Sequence, residues 1–341
     1  LFAKAFYHPL TEDELPLHTP EAWAALANDF LDFARKRKPG TASVRLFNPA
    51  MKTHGWESSH TVLQVVNDDM PFLVDSVTMA LSDLGIGVHV LGHPVVPIRR
   101  GRGGKLEAVG EGESESLIHM EIDRQSGDAL QGIQDAVSSV LEDVRLAVSD
   151  WEAMRDKMLE VATGLATSEL PVPQKEREEA QEFLRWLADD HFTFLGYREY
   201  EVRRKRGEAV LAPVDGSGLG LMRGREAGPA RPLTSLSAHE VRRTGRIDPL
   251  ILTKTNSRST VHRPGYMDYV GVVEYDADGN AVSERRFIGL YASSAYNRRP
   301  WDIPLVRERF EHVMATSGLR ETGHSGKALK HILETLPRDE L

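Results

Sequence analysis

The stretch from Thr61 to Asp150 switches repeatedly between two hydrophobic periods, and this limits its fold more than any other feature of the sequence. Thr61–Val66 is a β-rich run, with Val62, Leu63, Val65 and Val66, that ends at the polar turn Asn67-Asp68-Asp69. Pro71 then suits the first turn of a helix, where its missing N–H costs nothing. That helix places Leu73, Val77, Ala80 and Leu84 on one face and stops at Gly85. A strand from about Gly87 to Ile98 leads into a turn at Gly101, Gly103 and Gly104, and its hairpin partner is Leu117–Asp123. There Ile118, Met120 and Ile122 alternate with His119, Glu121 and Asp123, the period of a half-buried strand. A second helix from about Asp128 carries Leu130, Ile133, Val137 and Val140, and Val144, Leu146 and Val148 alternate as a last strand. The order β-α-β-β-α-β is the split βαβ arrangement, four antiparallel strands with two helices on one face.

The flanks read differently. Trp23, Leu26, Phe30 and Phe33 predict a helix from Pro20 to about Lys38, ended by Pro39-Gly40, and a short strand follows near Val44–Phe47. Beyond Asp150, a connecting helix spans Trp151–Leu165, Leu170-Pro171-Val172-Pro173 breaks it, and another helix covers Gln174 to about Asp189. Phe192–Val202 opens a second, mainly antiparallel domain, with a turn at Arg204–Gly207 and a glycine-rich loop over Asp215–Arg231. Its further strands are Leu250–Lys254, Met267–Tyr275 and Glu284–Tyr291, the last two joined by the hairpin turn Asp276-Ala277-Asp278-Gly279-Asn280. Helices at about Pro304–Ala315 and Gly326–Leu336 close the chain. The expected class is α+β. The divisions are a helical and extended segment (1–60), the βαββαβ domain (61–150), connecting helices (151–190), the antiparallel domain (191–300) and the helical start of a next module (301–341).

Composition narrows the chemistry. The 341 residues contain no cysteine, which excludes disulfides, thiolate catalysis and cysteine-ligated metals and fits a reducing cytosol. Lys and Arg total 42 against 51 Asp and Glu, a net charge of −9, which argues against a nucleic-acid partner. No apolar run approaches the ~20 residues that cross a bilayer, so no membrane partner is expected. The opening Leu1-Phe2-Ala3-Lys4 shows no charged-then-apolar leader, and cytoplasmic location is the expectation. Without a leader, the retrieval-like ending Arg338-Asp339-Glu340-Leu341 has no use as an address.

Several motif matches fail. Gly216-Ser217-Gly218-Leu219-Gly220 lacks the strand–turn–helix setting and third-glycine spacing of a dinucleotide loop. Around Gly326-Lys327, Glu321 and Ala328 stand where a phosphate loop needs glycine and a hydroxyl. Asp276, Asp278 and Asn280 begin like a calcium loop, but Ala281 and Phe287 occupy its required glycine and glutamate positions. The 13 histidines show no metal-ligand spacing, and His89 and His93 merely share a face of one expected strand.

Two constellations survive. The first is Asn67-Asp68-Asp69-Met70-Pro71-Phe72, where a strand hands over to a helix. Unpaired backbone N–H groups at a helix start hold a carboxylate or phosphate, while Asp68 or Asp69 can hold an ammonium and Asn67 either group. The alternative is that Asp69 only caps the helix. The second runs from Thr253 to Arg263 and is dense in hydroxyl and cationic groups, with Lys254, Asn256, Arg258, His262 and Arg263 as candidates for an anion or interdomain contact. A polar edge strand with its loop is the plainer reading.

Together these segments resemble the N-terminal region of the large bacterial NAD-dependent glutamate dehydrogenases. The resemblance is carried by Asn67–Val77, by His191-Phe192-Thr193-Phe194-Leu195-Gly196-Tyr197, by Thr253–Arg263 and by Pro337–Leu341, and it runs the length of the chain. It implies a ferredoxin-like ACT-type domain at 61–150, a PAS-like domain at 191–300, and a parent polypeptide several times longer. It also implies that the Rossmann and catalytic regions lie elsewhere, so that no catalytic residue and no cofactor are expected here, with NAD bound by the parent. ACT domains commonly bind amino acids at the first strand–helix junction of paired domains, which points to Asn67–Phe72 and Ser76, while some only assemble oligomers. The expected partners are the remaining domains of the same polypeptide, a second copy of the chain and an amino-acid effector.

Overall fold

A computed structural model describes residues 2–7, 15–167, 172–205, 208–224, 231–232, 250–276 and 280–335. The chain divides into two units, residues 1–148 with 259–264, and residues 149–258 with 265–341.

The first unit is built on a six-stranded antiparallel sheet: β1 Ser43–Phe47, β2 Thr61–Asp68, β3 Val88–Gly92, β4 Val95–Arg100, β5 Leu106–Val109 and β6 Glu113–Ile122. The order is β1-β2-β6-β4-β5, with β3 also paired to β6. Because β6 is antiparallel to β2, β3 and β4, the last three run parallel with β6 between them, which is the expected split βαβ. Around the sheet stand α1 Phe2–Tyr7, α2 Pro20–Ala34, α3 Met51–His54, α4 Leu73–Asp83 and α5 Gly127–Ser149. Val62 and Val66 join Phe6, Trp23, Leu26, Phe30 and Trp56 in one aromatic-rich core. Leu63 and Val65 are equally buried, and the two-residue period turns them to the opposite face, so both faces of β2 are covered. That double cover is why apolar residues stand at successive positions of Thr61–Val66, interrupted only by Gln64, which is itself buried and hydrogen-bonded to Arg45 and His119.

Four expectations change. Val144, Leu146 and Val148 are not a strand; they extend α5 to Ser149. The stripe Ile133, Val137, Leu141, Val144, Ala147 continues at spacings of three and four, and this helical burial outweighs the local alternation. The sheet edge beside β2 is filled instead by β1, with Val44 opposite Val65, so the order in sequence is not βαββαβ. The Gly87–Ile98 strand is two strands, β3 and β4, parted at His93-Pro94, and His93 therefore shares no strand with His89. Helix α2 stops at Ala34, short of Lys38, and the chain beyond it bridges Lys36 to Lys105.

The second unit has a seven-stranded antiparallel sheet: β7 Phe192–Lys205, β8 Glu208–Pro213, β9 Leu219–Gly220, β10 Arg231–Pro232, β11 Leu250–Arg258, β12 Tyr266–Tyr275 and β13 Ala281–Tyr291. The order is β10-β8-β7-β13-β12-β11, with β9 on β7. Helices α6 Trp151–Thr167 and α7 Gln174–Trp186 supply Met154, Met158, Phe183 and Leu184 to a core shared with Phe194, Tyr197, Val270 and Phe287. Arg204 and Lys205 belong to β7 and not to a turn, and residues 206 and 207 lie outside the described ones. The stretch read as loop over 215–231 contains β9 and the start of β10. Helix α7 ends in a π-helical turn over Leu187–His191, where Asp190 takes a left-handed φ of 57°. The closing helices are Val306–Thr316 and His324–Thr335. Among the described residues no helix is long and apolar enough to cross a membrane.

Candidate effector site at the first strand–helix junction

Asn67 and Asp68 are not in a turn: they are the last two residues of β2, where Asp68 stands directly opposite Glu115 of β6. Two carboxylates facing each other across a strand pair repel unless cations intervene. Three guanidiniums do so. Arg37 Nη2 donates to Asp68 Oδ1 at 2.6 Å and to Glu115 Oε1 at 2.7 Å. Arg100 forks onto both oxygens of Glu115 at 2.6 and 2.7 Å, and its remaining N–H groups reach the Gly104 and Ala34 carbonyls. Arg145, one turn before the end of α5, donates to Asp68 Oδ2 at 2.7 Å and also to Asn67 Oδ1. The Gly40 N–H adds a further bond to Asp68 Oδ2 at 3.1 Å.

Burial raises the cost of charging Asp68, but hydrogen bonds from Arg37 and Arg145 outweigh it and hold the carboxyl below the usual range. Glu115 is held low in the same way, against burial, by Arg100 and Arg37. Three guanidiniums therefore face two carboxylates, leaving one excess positive charge in the group. Arg37 and Glu115 are sealed, with side chains 2% and 3% exposed, whereas Arg145 and Asp68 are 22% and 32% exposed and within reach of solvent. Because Arg145 fixes the Asn67 carbonyl oxygen, the Asn67 amide nitrogen points elsewhere, and it is buried with no acceptor among the described residues.

Asp69 does not cap α4. Its N–H donates to the Ser114 carbonyl at 3.0 Å, and its Oδ1 accepts from Ser116 Oγ at 2.6 Å. Ser116 Oγ is also 3.1 Å from His93 Nε2. With the serine proton given to Asp69, His93 is the donor in that contact, the reverse of a nucleophile activated by histidine. Burial pushes His93 below the usual imidazole range, with Asp69 partly offsetting it.

Met70 is half-buried and Pro71 exposed, and the cap of α4 is Phe72, left-handed at φ 72° and without a side-chain capping bond. Its ring lies 4.7 Å from that of His262, which is itself left-handed at φ 74°. The His262 N–H donates to Ser76 Oγ at 3.0 Å, and Thr260 Oγ1 donates to Asp143 Oδ2 of α5 at 2.7 Å. Residues 259–264 thus belong to the first unit, and the two constellations of the sequence meet at Ser76, Phe72 and His262. Two non-glycine residues in a sparsely populated backbone region, ring against ring, mark a junction that its surroundings hold under strain.

The rest of the second constellation does not join them. Lys254 pairs with Asp268 at 2.6 Å, and Asn256 and Arg258 lie exposed on β11, an edge strand. Arg263 follows His262 in the 259–264 segment, half-buried. Among the described residues no group of three or more His, Asp or Glu side chains is arranged to hold a metal.

The glutamate dehydrogenase ACT1 domain model matches residues 2–137, and the helical motif 1 model of glutamate dehydrogenase matches residues 303–341. The NAD-specific glutamate dehydrogenase of Pseudomonas aeruginosa is 37% identical over 358 residues, covering 100% of this chain. That of Halomonas elongata is 36% identical over 350 residues, again across 100% of the chain. That of Mycobacterium tuberculosis is 30% identical over 82% of the chain and 17% of its own length. The chain spans 22% of the length of the first two relatives. Among solved structures, one of an RNA-binding light-oxygen-voltage receptor covers 90% of this chain and 89% of its own, at 8% identity and a TM-score of 0.18, a likeness too slight to carry any argument. Matched over its whole length by the first two of these relatives, and by two glutamate dehydrogenase domain models over residues 2–137 and 303–341, the chain belongs to the NAD-specific glutamate dehydrogenases, as one region of a much longer protein.

Proposed function

We propose that this chain is the N-terminal regulatory and assembly region of an NAD-specific glutamate dehydrogenase, and that an amino-acid effector binds beside Arg145, Asp68 and Asn67. The parent reaction is oxidative deamination of L-glutamate to 2-oxoglutarate and ammonium with NAD as hydride acceptor, carried out elsewhere in a cytoplasmic, oligomeric polypeptide. The observation that carries the effector reading is the buried Asn67 amide nitrogen, a donor without an acceptor among the described residues, next to a group with one surplus positive charge. An effector carboxylate satisfies that donor and takes the outer face of Arg145, while its ammonium takes the Asp68 oxygen that Arg145 releases. Arg37 keeps Asp68 ionised throughout. Because the junction also positions Phe72 against His262, exchange of the Arg145–Asp68 bond shifts a strained element, and differential affinity for its two arrangements is what regulation requires.

In this reading the split βαβ around β2, α4, β6 and α5 is the ACT-type domain and the sheet of β7–β13 with α6 and α7 is PAS-like. The PAS-like reading is supported by an antiparallel sheet whose core takes side chains from α6 and α7, and the closing helices begin the next module. The test uses the full-length enzyme. Arg145→Gln should abolish the response of its rate to amino-acid effectors and leave the unstimulated rate unchanged; an unaltered response sinks the assignment. The saturation of Asp68 by two guanidiniums and a backbone N–H favours a second reading, an assembly scaffold without ligand. Self-association insensitive to every amino acid, with no change in kinetics, would establish it.

A further inference from the structure

A cleft of about 360 Å³ lies wholly within the second unit. Its volume falls in the range of small-molecule sites, roughly 300–1,000 Å³. Phe183 and Ile303 on its wall are buried members of the core that also holds Phe194 and Phe287. Trp186, Tyr291 and Leu305 are half-buried, and Leu252 of β11 is 37% exposed, so the apolar lining runs from the core out to solvent.

The aromatic part of this wall is fixed. The Trp186 ring stacks with Phe183 at 5.7 Å and 24°, and with His191 at 4.3 Å and 19°. The Tyr291 ring meets Phe192 edge-on at 5.7 Å. Rings already held by their neighbours lose little freedom when a ligand lands on them. Two backbone irregularities border the same cleft. Trp186 ends α7 at the π-helical turn, and Leu305 is left-handed at φ 65°, its N–H bonded to Glu179 Oε2 at 3.0 Å. Strained residues and π turns are concentrated at functional sites because regular packing does not favour them.

The charged groups of the cleft are already engaged. Asp268, with its side chain 5% exposed, accepts from Lys254 at 2.6 Å and from the Tyr291 N–H at 3.1 Å. Arg309 has a partner of its own. Burial, reinforced by Asp268, pushes the Tyr291 phenol above its ordinary range, so it remains a neutral hydroxyl. A charged ligand has either to break one of these pairings or to leave water for an apolar wall without a counter-charge. An uncharged ring does neither.

We propose that this cleft binds a small uncharged aromatic molecule, its ring against Trp186, Tyr291 and Leu252. The site is independent of the Arg145 junction: it belongs to the other unit, and its ligand needs neither an ammonium nor a carboxylate.

The test is equilibrium dialysis of this chain with acetophenone, with benzoate as its charged counterpart and cyclohexyl methyl ketone as its saturated one. Acetophenone should bind one-to-one and at least about tenfold more tightly than benzoate, whose charge gains no free partner there. It should exceed the saturated ketone by about threefold or more, the gain from ring-on-ring contact. Leu252→Glu, made at an exposed position, should weaken acetophenone binding at least about tenfold by placing a charge on the apolar lining. Binding should also change the tryptophan fluorescence saturably, and Trp186→Phe should remove that change. Benzoate as tight as acetophenone, the saturated ketone as tight as the aromatic one, no retention of acetophenone at millimolar concentration, or undiminished binding by Leu252→Glu overturns the proposal. If Leu252→Glu loses its cooperative unfolding transition, the fluorescence change decides in its place: its absence, or its persistence in Trp186→Phe, rejects the site.

Discussion

Replacing Arg37 by methionine tests the charge group at its sealed centre. The substitution keeps most of the side-chain volume and removes the bonds to Asp68, Glu115 and the Thr41 carbonyl. Removing one partner of a buried ion pair costs about 3–5 kcal/mol because a charge is left uncompensated. Here Glu115 keeps both bonds from Arg100 and Asp68 keeps Arg145, so the lower end, ~3 kcal/mol at neutral pH, is expected. The pH dependence has a definite sign. Asp68 and Glu115 have folded pKa values below their unfolded ones, so the stability they contribute is full above the unfolded values, near 4, and is lost as pH falls through the folded ones. The variant lacks part of that contribution, so its deficit must shrink as pH drops below ~4. Urea unfolding followed by hydrogen exchange in β2 and β6 reads the first unit separately from the second. A deficit under about 1 kcal/mol at pH 7, or one that does not shrink by pH 3, refutes the reasoning.

Three further outcomes are expected. Gly104 has φ +78°, and a Cβ there would sit 2.0 Å from the Arg37 carbonyl oxygen, so Gly104→Ala should destabilise the first unit by about 1–3 kcal/mol in the same assay. Leu141 is 2% exposed on the stripe that makes α5 a helix, and Leu141→Ala should cost about 2–5 kcal/mol without changing helix content by circular dichroism. Glu121 is buried and, against the cost of burial, the neighbouring His119 imidazole and hydrogen bonds from His18 and Ser58 hold its carboxyl far below the usual range. Its contribution is therefore present above the unfolded value near 4 and lost on acidification, and Glu121→Gln should flatten acid unfolding of the first unit.

The regular parts of the fold were legible because they depend on local periods. β6 and α4 repeat their apolar residues at two and at three and four, and β2 stands out as a β-rich run. What escaped was set by distance along the chain. The edge beside β2 was open to either Ser43–Phe47 or Val144–Val148, and only the continuation of the Ile133–Ala147 stripe decides between them. The candidate site was half visible. Asn67–Asp69 and His262 stood out as polar residues in a conspicuous place. Arg37, Arg145 and Glu115 are single charged residues 31, 77 and 47 positions from Asp68, and nothing local distinguishes them from solvated charges. One clue was available: once β2 is paired with β6, Asp68 faces Glu115, and that juxtaposition demands cations. The left-handed backbones of Phe72 and His262 had no counterpart in the sequence, since neither residue type favours that conformation over its alternatives.

The effector site stands or falls on thermal unfolding of this chain against a panel of amino acids that includes glutamate and aspartate. A ligand that binds only the folded form adds about 2.7 kcal/mol at a hundredfold excess over its dissociation constant, enough to raise the midpoint measurably. The account predicts a rise with at least one amino acid, abolished by Asn67→Ala and by Arg145→Gln. No rise with any amino acid at millimolar concentration, or a rise untouched by Asn67→Ala and Arg145→Gln, contradicts it.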